Sequence, residues 1–193
     1  TTIINKYFAG KEYSEAYNLC EELKLYSSKW DSHYIALRTE ALSSLDSVED
    51  KIEHIIETFS TLNNNGYIVK DSTLNEVDSL WDLLHDLEVS LAKSKNYKDC
   101  VQQFKDYSTY VNNQCSEEKS NALQKGINNE LISVHKAHGY KCEQDGLYSD
   151  AISSYVVLSS IADIRTKTWC KVRCVLCNIK DGKHVEEEEV RKM

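Results

Sequence analysis

The 193-residue chain contains no proline, six glycines and a single methionine. Sandwiches and barrels need many tight turns, and a chain this poor in turn residues favours long helices instead. No run of about 18 apolar residues occurs, so no helical membrane span is expected. The N-terminal stretch TTIINKYF has neither the charged start nor the apolar segment of a signal peptide. Positive charge is in deficit, 23 Lys and Arg against 31 Asp and Glu, for a net charge of −8. That surplus repels a phosphate backbone, and nucleic acid is not an expected partner. There is no N-x-S/T acceptor, and the seven cysteines are odd in number and lie within helix-like patterns. Reduced thiols in the cytoplasm or nucleus fit that distribution. The one methionine is Met193, which suggests a fragment of a larger or processed chain.

Several chemical signatures are also missing. There is no G-x-S-x-G, no G-x-x-x-x-G-K-S/T and no G-x-G-x-x-G. Acyl transfer at a nucleophilic serine, phosphate cradling and dinucleotide binding therefore lack their turn-forming glycines. The chain is expected to be non-enzymatic, with no catalytic residue and no cofactor.

What the sequence does contain is apolar surface, 41% of residues with 12 tyrosines, enough to offset the chain entropy of one sizeable core or of stacked helix pairs. Three segments share a frame: GKEYSEAYNLCEEL (10–23), SKNYKDCVQQFKDY (94–107) and DGLYSDAISSYVVL (145–158). Each sets a Tyr after a polar turn, a small residue three positions on, and in most cases a bulky one four beyond: Tyr13, Ala16, Cys20; Tyr97, Cys100, Phe104; Tyr148, Ala151, Tyr155. One turn of helix separates these positions, so the small residue lets two helices approach and the next fills the following layer. A weaker copy, LDSVEDKIEHIIETF (45–59), has Val48 in the Tyr place and Lys51 in the small one.

This frame resembles the tetratricopeptide repeat. The closest match is HKAHGYKCEQDGLYSDAISSYVVL, through Gly139, Gly146, Tyr148, Ala151 and Tyr155. Leu87, Leu91, Tyr97, Cys100 and Phe104 fit a second unit, with Lys95 in place of the turn glycine, and Tyr7, Tyr13, Ala16 and Cys20 fit a truncated first one. The markers Tyr13, Val48, Tyr97 and Tyr148 are 35, 49 and 51 residues apart, against a family period of about 34. The resemblance implies an all-α fold: antiparallel helix pairs stacked as an α-solenoid. Residues 1–193 would form one helical-repeat domain, with units near 1–30, 31–66, 70–115, 117–161 and 162–193. Periodicity predicts helices near 12–27, 32–45, 48–63, 72–94, 96–113, 117–144, 147–161 and 163–179. In 72–94, Leu74, Val77, Leu80, Trp81, Leu84, Leu87 and Leu91 step by three and four, with Asp71 or Ser72 as the cap.

The segment WCKVRCVLCN (169–178) spaces cysteines as C-x3-C-x2-C. At about 100° per residue, Cys170, Cys174 and Cys177 share one side of a helix and Val172, Val175, Leu176 and Ile179 the other. Two opposed apolar faces predict a helix sandwiched between neighbours, with the thiols as small buried side chains. Against this stand a four-iron cluster of the kind radical enzymes hold at this spacing, a tetrahedral metal site, which would need a fourth ligand, and a reactive thiol activated by Lys171 and Arg173. His135 and His138 have chelating spacing, but Lys136 between them opposes a cation. His33, His54, His85 and His184 are isolated, and the run Glu186 to Glu189 reads as a solvated helix face.

The expected function is a scaffold or adaptor that binds a partner peptide or helix within a larger assembly. Groove candidates are Tyr34, Arg38, Glu88, His135, Lys171 and Arg173. The paired Lys and Asn positions with which some tetratricopeptide cochaperones clamp a terminal carboxylate are absent from 32–45 and 72–94. One alternative is a structural subunit of a large helical-repeat complex, whose contacts would be broad apolar patches. The other is a metal- or redox-dependent activity at Cys170, Cys174 and Cys177.

Overall fold

A computed structural model describes residues 30–64 and 66–183, together with Lys6, Gly10, Glu15 and Leu19. The helix expected near 12–27, its markers Tyr7, Tyr13, Ala16 and Cys20, and His184 with the glutamates 186–189 lie outside the described residues. Within them the fold is all-helical, with no strand. Its helices are α1 (Trp30–Ala41), α2 (Val48–Asn64), α3 (Asn75–Ser94), α4 (Tyr97–Gln114), α5 (Glu117–Gln144), α6 (Tyr148–Ile161) and α7 (Ile164–Lys180). No helix among the described residues is long and apolar enough to cross a membrane.

The starts of these helices are set by side chains that satisfy the first free backbone N–H groups. Ser47 Oγ accepts from Asp50 N at 2.9 Å before α2, and Asn96 Oδ1 accepts from Lys98 N and Asp99 N at 3.1 and 3.2 Å before α4. Asp163 caps α7, accepting from Thr166 N at 2.8 Å. Two expected boundaries differ. α1 ends at Ala41 in a 3-10 turn, Leu42–Ser44, instead of running to 45. α3 begins at Asn75, because Asp71 closes a 3-10 turn and Ser72 Oγ takes the N–H of Leu74 into a local turn, which leaves Leu74 ahead of the helix.

Glycine terminates helices in one recurrent way. Gly66, Gly146 and Gly182 all have positive φ, 85°, 74° and 74°. At each, the glycine N–H bonds back three residues and the next N–H bonds back five: Gly146 to Glu143 and Leu147 to Cys142, Gly182 to Ile179 and Lys183 to Asn178. A left-handed residue is what lets both bonds form, and only glycine takes that conformation without strain.

Packing divides the chain into two compact units. One runs to Ser94 and includes Thr109–Ser120; the other holds Lys95–Ser108 and the chain from Asn121 onward. Helices α4 and α5 therefore each contribute residues to both. In the first unit Trp81 is the aromatic centre, 4.6 Å between ring centroids from Phe59 and 5.8 Å from Tyr110, and Ile55, Leu62 and Leu84 are also buried. In the second, Cys142, Ala151, Tyr155, Leu158, Ala162, Cys170 and Cys177 make one core in which α6 packs on α7. The frame positions of α4 and α6 behave as the sequence implies: Cys100, Phe104, Ala151 and Tyr155 are all buried.

Candidate functional site

The densest polar and aromatic constellation of the second unit lies where α5 and α7 face each other. Its anchor is Glu143, near the end of α5. The Glu143 carboxylate is almost wholly buried, accepts from Tyr155 Oη at 2.6 Å and from Arg173 Nε at 2.8 Å, and is also bonded by Arg173 Nη2. Lys180 Nζ stands 3.7 Å away. Burial pushes the Glu143 carboxyl up, but the hydrogen bonds from Tyr155 and Arg173 and the nearby positive charges outweigh it and hold the group below its ordinary value. A buried carboxylate satisfied by a guanidinium fork and a phenol is a stable ion pair, not a general base awaiting a proton.

Around this anchor runs a ladder of cations and rings. The Arg173 guanidinium lies 5.0 Å from the Tyr140 ring centroid and 5.9 Å from that of Trp169, and Lys136 Nζ lies 5.1 Å from that of Trp169. Tyr140 and Trp169 are 5.5 Å apart, and Trp169 meets Tyr155 edge-on at 5.3 Å. These are the separations at which ring quadrupoles attract cations and other rings. Toward the start of both helices the surface opens into a hollow of about 640 Å³. It is lined by Asn121, Gln124, Lys125, Asn128, Asn129 and Ile132 of α5 and closed by Ile161, Asp163 and Thr166. On α5, Lys125, Asn128, Ile132, Lys136 and Tyr140 follow one another at helical spacing. From Asn121 to Tyr140 this stripe is about 28 Å long at 1.5 Å per residue.

The sequence-level candidates fall in quite different places. Tyr34, Arg38, Glu88 and His135 are buried, so they do not line an open groove as expected. Arg38 is consumed inside the first unit: its Nε donates to Thr58 Oγ1 at 2.8 Å and its Nη2 to His54 O at 3.1 Å and Glu57 Oε2 at 2.8 Å. His54 Nε2 answers by donating to Arg38 O at 2.9 Å. His135 Nδ1 is hydrogen-bonded to Tyr97 Oη at 2.8 Å. Lys171 is exposed, and Arg173 belongs to the ion pair with Glu143. Arg173 is thus the one candidate that helps build the α5–α7 surface. Lys136, Tyr140 and Trp169, which complete it, went unselected because spacing along one helix says nothing about which rings a second helix brings opposite.

The cysteine stripe resolves the question raised by WCKVRCVLCN. Cys170 and Cys177 are buried in the core beneath α6 and Cys174 is half-buried, so the thiol side meets a neighbouring helix. Burial raises all three thiols, Cys177 to about 11, and outweighs the lowering pull of Arg173 on Cys177. Among the described residues no group of three or more His, Cys, Asp or Glu side chains is arranged to hold a metal ion. The opposite face corrects the expectation of a sandwiched helix. Val172, Leu176 and Ile179 are exposed, and Ile164 at the head of α7 is 76% exposed. Comparison of the chain with protein-family models, with curated proteins and with solved structures finds no match.

Proposed function

We propose that the chain is a non-enzymatic, tetratricopeptide-like helical scaffold that receives an extended segment of a partner protein along the α5–α7 surface. The observation that carries this reading is that surface itself: carboxamides, lysines and aromatic rings presented from two helices over about 28 Å. At about 3.3 Å per residue that length accommodates eight or nine residues of extended chain. Asparagine and glutamine both donate and accept, which suits a peptide backbone, while rings and lysines supply contact area and charge. Stacked pairs find support in the two Asp-Gly turns, at Gly146 and Gly182, which share φ and hydrogen-bond register and stand 36 residues apart, near the family period.

The test is capture of partners by the immobilised chain beside its Lys125→Glu and Lys136→Glu variants, both of which alter exposed side chains. A partner retained by the parent and lost by both variants, with circular dichroism unchanged, supports the groove. Equal retention by all three refutes it.

The exposed aliphatic stripe of Ile164, Val172, Leu176 and Ile179 favours a second reading, a structural subunit of a helical-repeat complex that meets a neighbour across α7. That reading places the loss of partner in Leu176→Glu and Ile179→Glu, with the lysine variants silent.

A further inference from the structure

Where α4 starts, its first residue is held by a hydrogen-bond cluster that plays no part in the α5–α7 surface. Tyr97 Oη stands 2.8 Å from His135 Nδ1 and 3.4 Å from Ser154 Oγ, and the Tyr97 ring lies flat on His138 with 3.5 Å between centroids. His138 Nδ1 is 2.7 Å from Ser154 Oγ, and the Cys142 thiol is 3.6 Å from His138 Nε2. The Asp150 carbonyl can only accept, and the proton arrangement that follows from it places Tyr97 as donor across its shorter contact. With the Ser154 proton on Asp150 O at 3.1 Å, His138 Nδ1–H donates into Ser154 Oγ. The Cys142 S–H then faces the lone pair of His138 Nε2. Tyr97 has one proton, and its nearer acceptor is Nδ1 of a neutral His135.

We propose that Tyr97 and His135 form a proton-sensitive latch fastening the start of α4 to α5 and α6. Adding a proton at His135 Nδ1 turns the acceptor into a donor aimed at an O–H. The relief open to the cluster is for Tyr97 to swing its proton to Ser154 Oγ, a long contact at 3.4 Å, with a charged imidazole left 3% exposed. The groups facing His135 make that charge costly: Lys105 from α4 and His138 from its own helix, with the uncharged Tyr97 and Ser154 completing the surroundings. His138 is also held below its ordinary value, first by burial and then with Lys141, while Asp150 of α6 and the stacked Tyr97 ring favour its charged form and soften the shift.

Burial first, then His138 and Lys105, hold His135 below its ordinary value of 6.5. For a base whose folded value is depressed, the latch is fully closed above the unfolded value and weakens as pH falls below it. One proton taken up on opening shifts the closed-to-open ratio by at most about tenfold per pH unit.

Hydrogen exchange on the full chain between pH 7.5 and 5.0, corrected for intrinsic rates, measures this. The amides of 97–104 and 148–155 should gain up to about tenfold in exchange per unit below pH 6.5. His135→Gln keeps an acceptor for Tyr97 without a titrating group and should remove most of the acid step, whereas His138→Gln should retain the share due to His135. An acid step undiminished by His135→Gln, or no step in the parent, overturns the latch. If His135→Gln does not fold, nuclear magnetic resonance of the parent decides. The His135 ring proton must titrate together with the loss of protection, and titration with protection intact overturns the proposal.

Discussion

Replacing Gly139 by Ala sets two known effects against each other. In an exposed helix the change stabilises by about 1 kcal/mol, because alanine has the higher helix propensity. Here an added Cβ would stand 2.5, 2.8 and 3.0 Å from Cε1, Cζ and Cδ1 of Tyr155. Carbon atoms pack best at about 3.5–4.0 Å, so the ring would have to retreat by about 1 Å. It has nowhere to go. Tyr155 is fully buried among Ala151, Leu158 and Cys170, its hydroxyl is tied to Glu143 at 2.6 Å, and Trp169 closes its edge. Overpacking of this kind costs about 1–3 kcal/mol, and weakening the Tyr155–Glu143 bond adds about 1 kcal/mol. The net expectation is a loss of about 1–3 kcal/mol, read by urea unfolding followed through circular dichroism. Tyr155→Leu in the Gly139→Ala background should cost less than in the parent, because the clash is then relieved. A Gly139→Ala protein as stable as the parent, or more stable, refutes the close approach of α6 over Gly139.

Other consequences can be measured on the same protein. Arg173→Ala leaves the Glu143 carboxylate buried without its fork and should cost about 3–5 kcal/mol at pH 7, with Arg173→Lys a partial rescue. Glu143 is depressed in the fold, so its contribution is present above its ordinary value and fades as pH falls. The gap between parent and Arg173→Ala therefore narrows in acid, and a gap independent of pH contradicts the pairing. Native protein at pH 7.5 should resist alkylation at Cys170 and Cys177, with half-buried Cys174 reacting first and the other two only on unfolding. Stoichiometric iron or zinc that disappears in Cys174→Ser contradicts the core assignment. Leu176→Glu changes an exposed position and should alter stability by no more than about 0.5 kcal/mol, whereas a large loss would mean that the aliphatic stripe is covered within the chain.

Helices were legible in the sequence because they depend on local chemistry. Five of the described seven start and end within two residues of where apolar periodicity and polar turns put them. The exceptions, Leu42–Ser44 and the stretch before Asn75, are places where a side chain or a 3-10 bond competes with the α-helical pattern. The frame residues Cys100, Phe104, Ala151 and Tyr155 were legible for the same reason, being one turn apart on one face. The candidate site was mostly not legible. Arg38, Glu88 and His135 are polar and sit on helices, so a single sequence suggests solvent, yet Arg38 is satisfied by α2 and His135 by Tyr97 from far along the chain. Whether a charge is buried depends on the partner that packing delivers. Likewise, the Val172, Leu176 and Ile179 stripe promised a neighbour, and among the described residues none covers it.

The proposed partner chain along α5 and α7 can be tested at the residue level. Photo-crosslinking amino acids placed singly at Asn128, Lys136, Ser153 and Leu176, followed by mass spectrometry of the adducts, test it most directly. Asn128 and Lys136 should both yield adducts to one partner segment, with none from exposed Ser153 of α6. Adducts confined to Leu176, with Asn128 and Lys136 unlabelled, would contradict it.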